Sequence, residues 1–114
     1  MKKISAPKIT IGIPTYNRGL LLRSAINSAL NQTYGNIEVI VSNNASTDQT
    51  MGILAAFSDS RLIVLRQMSN CGMVANWNCC LEKAGGEFFL LLSDDDILEE
   101  DAIENLVQGF SRDD

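Results

Sequence analysis

Alternation between two kinds of segment constrains this chain more than any other feature. Short runs rich in β-branched and other apolar residues recur at "KITIGI" (8–13), "IEVIVS" (37–42), "RLIVLR" (61–66) and "EFFLLL" (87–92). The stretches between them carry apolar residues at helical spacing. The first spans Arg18 to Gln32, with Leu22, Ile26, Ala29 and Leu30 on one face. The second covers about 47–58, with Ile53, Leu54 and Phe57 inward, and opens on "STDQ", where Ser46 is placed to cap and Gln49 to reach back. The third covers about 72–84, with Val74, Trp77, Leu81 and Ala84 in phase. The last runs from about Glu99 to Phe110, with Ile103, Leu106, Val107 and Phe110 in phase and carboxylates in its first turn, where the helix dipole favours them.

The resulting order β-α-β-α-β-α-β-α predicts an α/β fold. Strands one, two and four are apolar nearly throughout, as buried parallel strands are. Right-handed crossovers then give an open, mainly parallel sheet with helices on both faces. Neither a repeat nor a linker interrupts the pattern, so residues 1–114 read as one unit. A sheet ending at its fourth strand is expected to leave an unpaired edge and uncovered apolar surface, and so to self-associate.

Composition excludes several classes. With 46% apolar and 20% charged residues the chain is that of a folded globular protein. No apolar run approaches the ~20 residues needed to cross a bilayer, and the start lacks the pattern of a signal peptide, so a cytoplasmic location is the default. There is no histidine, which removes Ser-His and Cys-His nucleophiles and His-based zinc sites. The three cysteines show neither a metal-type spacing nor a disulfide framework and are expected to be buried or idle thiols. The net charge of −5 hides an asymmetry: residues 1–37 hold five bases (Lys2, Lys3, Lys8, Arg18, Arg23) and no acid, and residues 87–114 hold ten acids against Arg112. An acidic chain of this kind is a poor binder of nucleic-acid backbones.

In a parallel sheet the loops leaving the C-terminal strand ends share one edge, where ligands bind. Here those loops read "PTYNR" (14–18), "NNASTD" (43–48), "MSNCG" (68–72) and "SDDD" (93–96). Each has an ordinary structural role open to it: Pro14 ends a ladder, Asn17 caps the first helix, "NNASTD" makes a turn, and Trp77, Asn76 and Asn78 serve packing and backbone bonding. Their convergence points to a ligand cleft. Tyr16 offers a ring to a base, and three adjacent carboxylates at an apolar strand end become tolerable beside a divalent ion that bridges them to phosphate. Oxygen-only ligands suit Mg²⁺ or Mn²⁺. No GxGxxG follows the first strand, which argues against a dinucleotide enzyme.

Together, "ITIGIPTYNR…LLLRSAINSALNQTYGNIEVIVSNNASTDQT" and "NCGMVANWNCCLEKAGGEFFLLLSDDDIL" resemble the nucleotide-binding half of family 2 glycosyltransferases, inverting enzymes with the Rossmann-like GT-A fold, over about residues 8–110. The resemblance implies a nucleotide-diphosphate sugar donor, commonly a UDP-sugar, with Mg²⁺ or Mn²⁺. Pro14, Thr15 and Tyr16 would line the nucleoside pocket. The acidic loop would be the DXD-type motif, with Asp94 near the ribose or sugar, Asp95 the first choice for the metal ligand and Asp96 the alternative. Where the family often has an aspartate contacting uracil, this chain has Asn43, an amide that accepts but also donates. The resemblance also implies an acceptor-binding half that supplies the general base. No segment of residues 1–114 matches that half, so the base is expected beyond Asp114, and the chain alone is expected to be inactive or incomplete as an enzyme. The alternative is a nonenzymatic nucleotide-binding or interaction module with the same fold.

Overall fold

The computed structural model describes residues 6–111. Lys2, Lys3 and Arg112 of the charge asymmetry lie outside the described residues, and so does Asp114, beyond which the general base is expected. The elements follow the expected alternation: β1 (Ile9–Thr15), α1 (Leu20–Leu30), β2 (Ile37–Asn43), α2 (Thr50–Ala55), β3 (Leu62–Arg66), α3 (Met73–Lys83), β4 (Phe88–Leu91) and α4 (Ala102–Ser111). The strands form one sheet in the order β3-β2-β1-β4, every neighbouring pair parallel. Ile11 sits opposite Val39 on one side and Leu90 on the other, which fixes the parity of all three strands.

That parity gives the sheet two unlike faces. On one, Ile9, Ile11, Ile13, Ile37, Val39 and Val41 meet Leu22, Ala25, Ile26, Ala29 and Leu30 of α1, joined by Leu54, Leu92 and Ile103 in one buried cluster. α4 closes this core through Ile103, with Val107 and Phe110 packed against it, and Phe110 stacks on Phe88 at 4.2 Å between ring centroids. Gln32 ties α1 to α4: its amide nitrogen donates to the Glu99 carbonyl at 2.7 Å and its oxygen accepts from the Ile103 N–H at 2.9 Å. The first turn of α4 thus gets its partner from the segment that follows α1.

The other face mixes small and polar residues with the buried Ile40, and α3 covers it. Glu38 accepts from the Thr10 hydroxyl at 2.7 Å, and Ser42 Oγ donates to Asn76 Oδ1 of α3 at 2.7 Å. Gly12 allows the close approach: a Cβ there would lie 2.6 Å from the Phe89 ring and 3.0 Å from Cys80 Cβ. This face overturns the expected orientation of α3. Its buried residues are Asn76 and Cys80, and Val74, Trp77 and Leu81 are exposed. Apolar spacing picks the face that a wholly apolar surface would bury, and the surface beneath α3 is mixed: Ile40 is fully buried there, but Ser42 offers hydrogen bonds that only a polar residue of the helix can meet.

Other differences are local. β4 is an edge strand, paired with β1 alone among the described residues, and Phe88 and Leu91 are exposed there instead of buried. Leu106 also points outward. Ser46 does not cap α2. Its Oγ accepts from the Asn17 N–H, and no side chain caps α2; Asp48 accepts from the Thr50 N–H at 2.9 Å and from the Thr50 hydroxyl in a local turn. Asn17 does not cap α1 either; its oxygen accepts from the Thr47 N–H at 2.7 Å, and the chain enters α1 through Gly19 at a φ of 49°. In both cases the loops after β1 and β2 bond to each other instead of to their own helices.

Candidate functional site

Because all four strands run the same way, their C-terminal ends gather on one edge, and a cavity of about 560 Å³ opens there, a size suited to a small-molecule ligand. The end of β1 contributes Pro14, Thr15, Tyr16 and Arg18. The loop after β2 contributes Asn44, and the approach to α3 adds Asn70, Met73, Asn76 and Trp77. Leu91, Leu92, Ser93, Asp94 and Asp96 complete the wall.

The sequence-derived candidates divide on this geometry. Pro14, Thr15, Tyr16, Asp94 and Asp96 line one cavity. Asn43 and Asp95 lie on the same sheet edge but outside the lining. Asn43 pairs with Thr15 in register, is 2% exposed, and is bound on both sides: its nitrogen meets Met51 Sδ at 3.0 Å and its oxygen accepts from the Ser46 N–H. Asp95 accepts from the Ser93 hydroxyl at 2.8 Å. Residues not singled out as ligands from sequence also line the cavity: Arg18, Asn44, Asn70, Met73 and Trp77, the last expected in the core. The parity of β2 is the signal that separates Asn44 from Asn43. Asn78 is exposed and outside the cavity lining, and of the cysteines only Cys80 is buried, where burial pushes its thiol up to about 11.

On the wall formed by the second and third loops, amides are held in fixed orientations. Asn44 Oδ1 accepts from the Cys71 N–H at 2.9 Å and the Cys71 thiol at 3.3 Å. Asn70 Oδ1 accepts from Asn44 Nδ2 at 3.0 Å and from the Gly72 N–H at 2.9 Å. Both amide oxygens are therefore saturated, and what remains for a ligand is N–H. Beneath them Asn76 Nδ2 donates to the Ser42 carbonyl at 3.0 Å and binds the helix to the strand ends.

The opposite wall is acidic. Asp94 is only 8% exposed, and burial raises its pKa, although the Thr15 hydroxyl, the Arg18 guanidinium and the Tyr16 N–H pull it back. Arg18 Nε lies 3.2 Å from Asp94 Oδ1. Thr15 Oγ1 faces the same carboxyl without closing a hydrogen bond of normal geometry, and it is the one buried side-chain polar atom among the described residues left in that state. A desolvated carboxylate, a second carboxylate at Asp96 and an orphaned hydroxyl make an oxygen-only donor set that fits a hard divalent cation. No group of three or more acidic or thiol side chains gathers among the described residues, so such an ion would draw further ligands from water and phosphate.

Comparison with known proteins gives a consistent set of matches. Residues 10–114 match the sequence profile described as Glycosyl transferase family 2. An "uncharacterized glycosyltransferase" of Rickettsia prowazekii (strain Madrid E) is 35% identical over 111 residues, 97% of this chain and 34% of that protein. The GalNAc(5)-diNAcBac-PP-undecaprenol beta-1,3-glucosyltransferase of Campylobacter jejuni is 38% identical over 105 residues, 90% of this chain and 34% of that protein. The chain thus spans about a third of the length of these relatives. Among solved structures, S. aureus TarS 1-349 in complex with UDP-GlcNAc superposes with a TM-score of 0.83 at 28% identity, over 89% of this chain and 30% of that one. The mannosyltransferase PcManGT from Pyrobaculum calidifontis, in complex with GDP-Man and Mn²⁺, gives 0.83 at 26% identity, over 92% of this chain and 32% of that one.

Proposed function

Because the chain belongs to glycosyl transferase family 2, we propose that it is the donor-binding part of an inverting, metal-dependent glycosyltransferase that takes a nucleotide-diphosphate sugar. The observation that carries this reading is the cavity at the C-terminal ends of the strands. It brings together an aromatic ring, fixed amides and two carboxylates. The neighbours in complex with UDP-GlcNAc and with GDP-Man and Mn²⁺ support the same ligand class. In this reading residues 1–114 are one donor-binding domain, and the acceptor and its general base are held by residues beyond Asp114. Among the described residues no helix is long and apolar enough to cross a membrane.

The residues would act as follows. Tyr16, 43% exposed at the strand edge, stacks on the base, and Pro14 and Thr15 shape the nucleoside wall. Asn44 and Asn70 donate N–H groups to the base or ribose. Asp94, which the resemblance sets near the ribose or sugar, is proposed here to share Mg²⁺ or Mn²⁺ with one neighbouring carboxylate, since it lines the same cavity as Asp96: Asp95 is the first choice by motif position, and the place of Asp96 on the cavity wall favours the alternative. The ion's contribution when bound is Lewis-acid stabilisation of the departing diphosphate. The buried position of Asp94 excludes water from that end, which strengthens each charge contact made there.

The test is thermal unfolding with UDP, GDP, CDP and dTDP, each with and without Mn²⁺. One nucleotide at ~100 times its dissociation constant adds about 2.7 kcal/mol, and only with metal. Asp94→Asn abolishes the metal-dependent gain. Asp95→Asn and Asp96→Asn then identify the second ligand. A domain that responds to no nucleotide refutes the proposal.

A further inference from the structure

Arg18 is the one basic side chain lining the cavity among the described residues, and it is already engaged. Its Nε sits 3.2 Å from Asp94 Oδ1, with the arginine side chain 47% exposed and the aspartate 11% exposed. The pair is lopsided. Asp94 is fixed under the strand ends, whereas Arg18 reaches it from the mouth along a flexible stem that solvent still surrounds. The loop carrying Arg18 is itself held: the Asn17 N–H donates to Ser46 Oγ at 2.9 Å, and the Gly19 N–H donates to Thr50 Oγ1 at 3.3 Å. The backbone anchor is firm on both sides of Arg18, and its side chain is free to turn.

Two charges compete for one carboxylate here. A divalent ion bound at Asp94 supplies the counter-charge that Arg18 supplies without it, and the two cations repel at that distance. A diphosphate arriving with the ion brings the negative charge that a displaced guanidinium seeks, and guanidinium forks match phosphate oxygens in pairs. Resting on the donor-site reading above, we infer that Arg18 is an exchanging counter-ion: it holds Asp94 while the cavity is empty and transfers to the donor's diphosphate when a metal ion takes its place. Arg18 is thus a binding residue for the loaded ligand and a competitor of the bare metal.

This dual role has a signature that a merely structural ion pair lacks. In Arg18→Gln, Mn²⁺ added alone, followed by electron paramagnetic resonance of the free ion, binds about five- to tenfold more tightly than in the parent chain. In the same variant, UDP or GDP in saturating Mn²⁺, measured by calorimetry, binds about tenfold more weakly. Arg18→Lys retains part of the nucleotide affinity, as a point charge without the fork. Thermal unfolding of each variant without ligand verifies that the fold persists. Opposite movement of the two affinities supports the exchange. If both weaken together, or Mn²⁺ affinity does not change, the exchange is refuted while the donor site stands. If the parent chain binds neither UDP nor GDP with Mn²⁺, the donor-site reading falls and takes this inference with it.

Discussion

Replacing Asn76 by alanine tests what holds the floor of the cavity. Asn76 is 3% exposed, and its side chain joins α3 to the ends of β1 and β2. Its Oδ1 accepts from Ser42 Oγ at 2.7 Å, and its Nδ2 donates to the Ser42 carbonyl at 3.0 Å and to the Thr15 carbonyl at 3.4 Å. The longest contact is near the limit of a hydrogen bond and contributes little. The two shorter ones contribute about 1 kcal/mol each, and stranding the buried Ser42 proton costs about 1–2 kcal/mol more. Gln67 Nε2 still donates to Ser42 Oγ at 2.9 Å, so that oxygen keeps a donor but the proton loses its acceptor. The expected loss is about 3 kcal/mol, or roughly 10 °C in melting temperature for a domain of this size. Urea unfolding monitored through Trp77 would measure it. The sharper assay is the double-mutant cycle with Ser42→Ala, because that change removes the stranded proton: the pair should cost at least ~1 kcal/mol less than the sum of the singles. Strict additivity, or a single-mutant loss below ~1 kcal/mol, would refute the view that this polar contact fixes α3.

Two further outcomes follow from the described geometry. Glu38 meets burial, which alone would raise its pKa, but the Thr10 hydroxyl at 2.7 Å, the Gly85 N–H at 2.6 Å and the Lys8 ammonium at 3.2 Å lower it below 4.5 overall. A depressed folded pKa means stability that is present at neutral pH and lost as pH falls through that value, so Glu38→Gln should flatten the acid limb of the stability profile below pH 4.5; matching acid slopes in parent and variant would contradict this. Ala45 sits at a φ of 60°, in the left-handed region where a Cβ is crowded, so Ala45→Gly should gain about 0.5–1 kcal/mol in denaturant unfolding despite the freer unfolded chain, and a loss of stability would count against that strain.

The order of elements, the parallel sheet and its ligand edge are legible because period-2 and period-3.6 patterns are local, and topology then places every strand-end loop on one side. Pro14, Thr15, Tyr16, Asp94 and Asp96 can be found that way without knowing a single contact. Asn43 and Asn44 are separated only by the parity of β2, and a strand apolar on both faces does not display that parity until its register with β1 is known. The caps of α1 and α2 escape sequence reading for a related reason. "PTYNR" and "NNASTD" are each good capping sequences, and only their proximity makes Asn17 and Ser46 partners across the loops.

The orientation of α3 is the most instructive of these differences, since the information is present but split between distant segments. Thr10 and Gly12 of β1 share a face with Glu38 and Ser42 of β2 only once the register Ile11 to Val39 is known. That face then selects Asn76 and Cys80 over Val74 and Leu81. The consequence reaches the site. Burial of apolar surface is non-directional, so the cluster under α1 would tolerate small rotations of a helix. Hydrogen bonds from Asn76 to Ser42 do not. They fix the rotation of the helix that carries Met73, Asn76 and Trp77 into the cavity wall. Changes at Ser42 or Asn76 should therefore blur ligand binding at substitutions too mild to unfold the sheet, whereas equal losses of stability taken from the α1 face should leave binding intact.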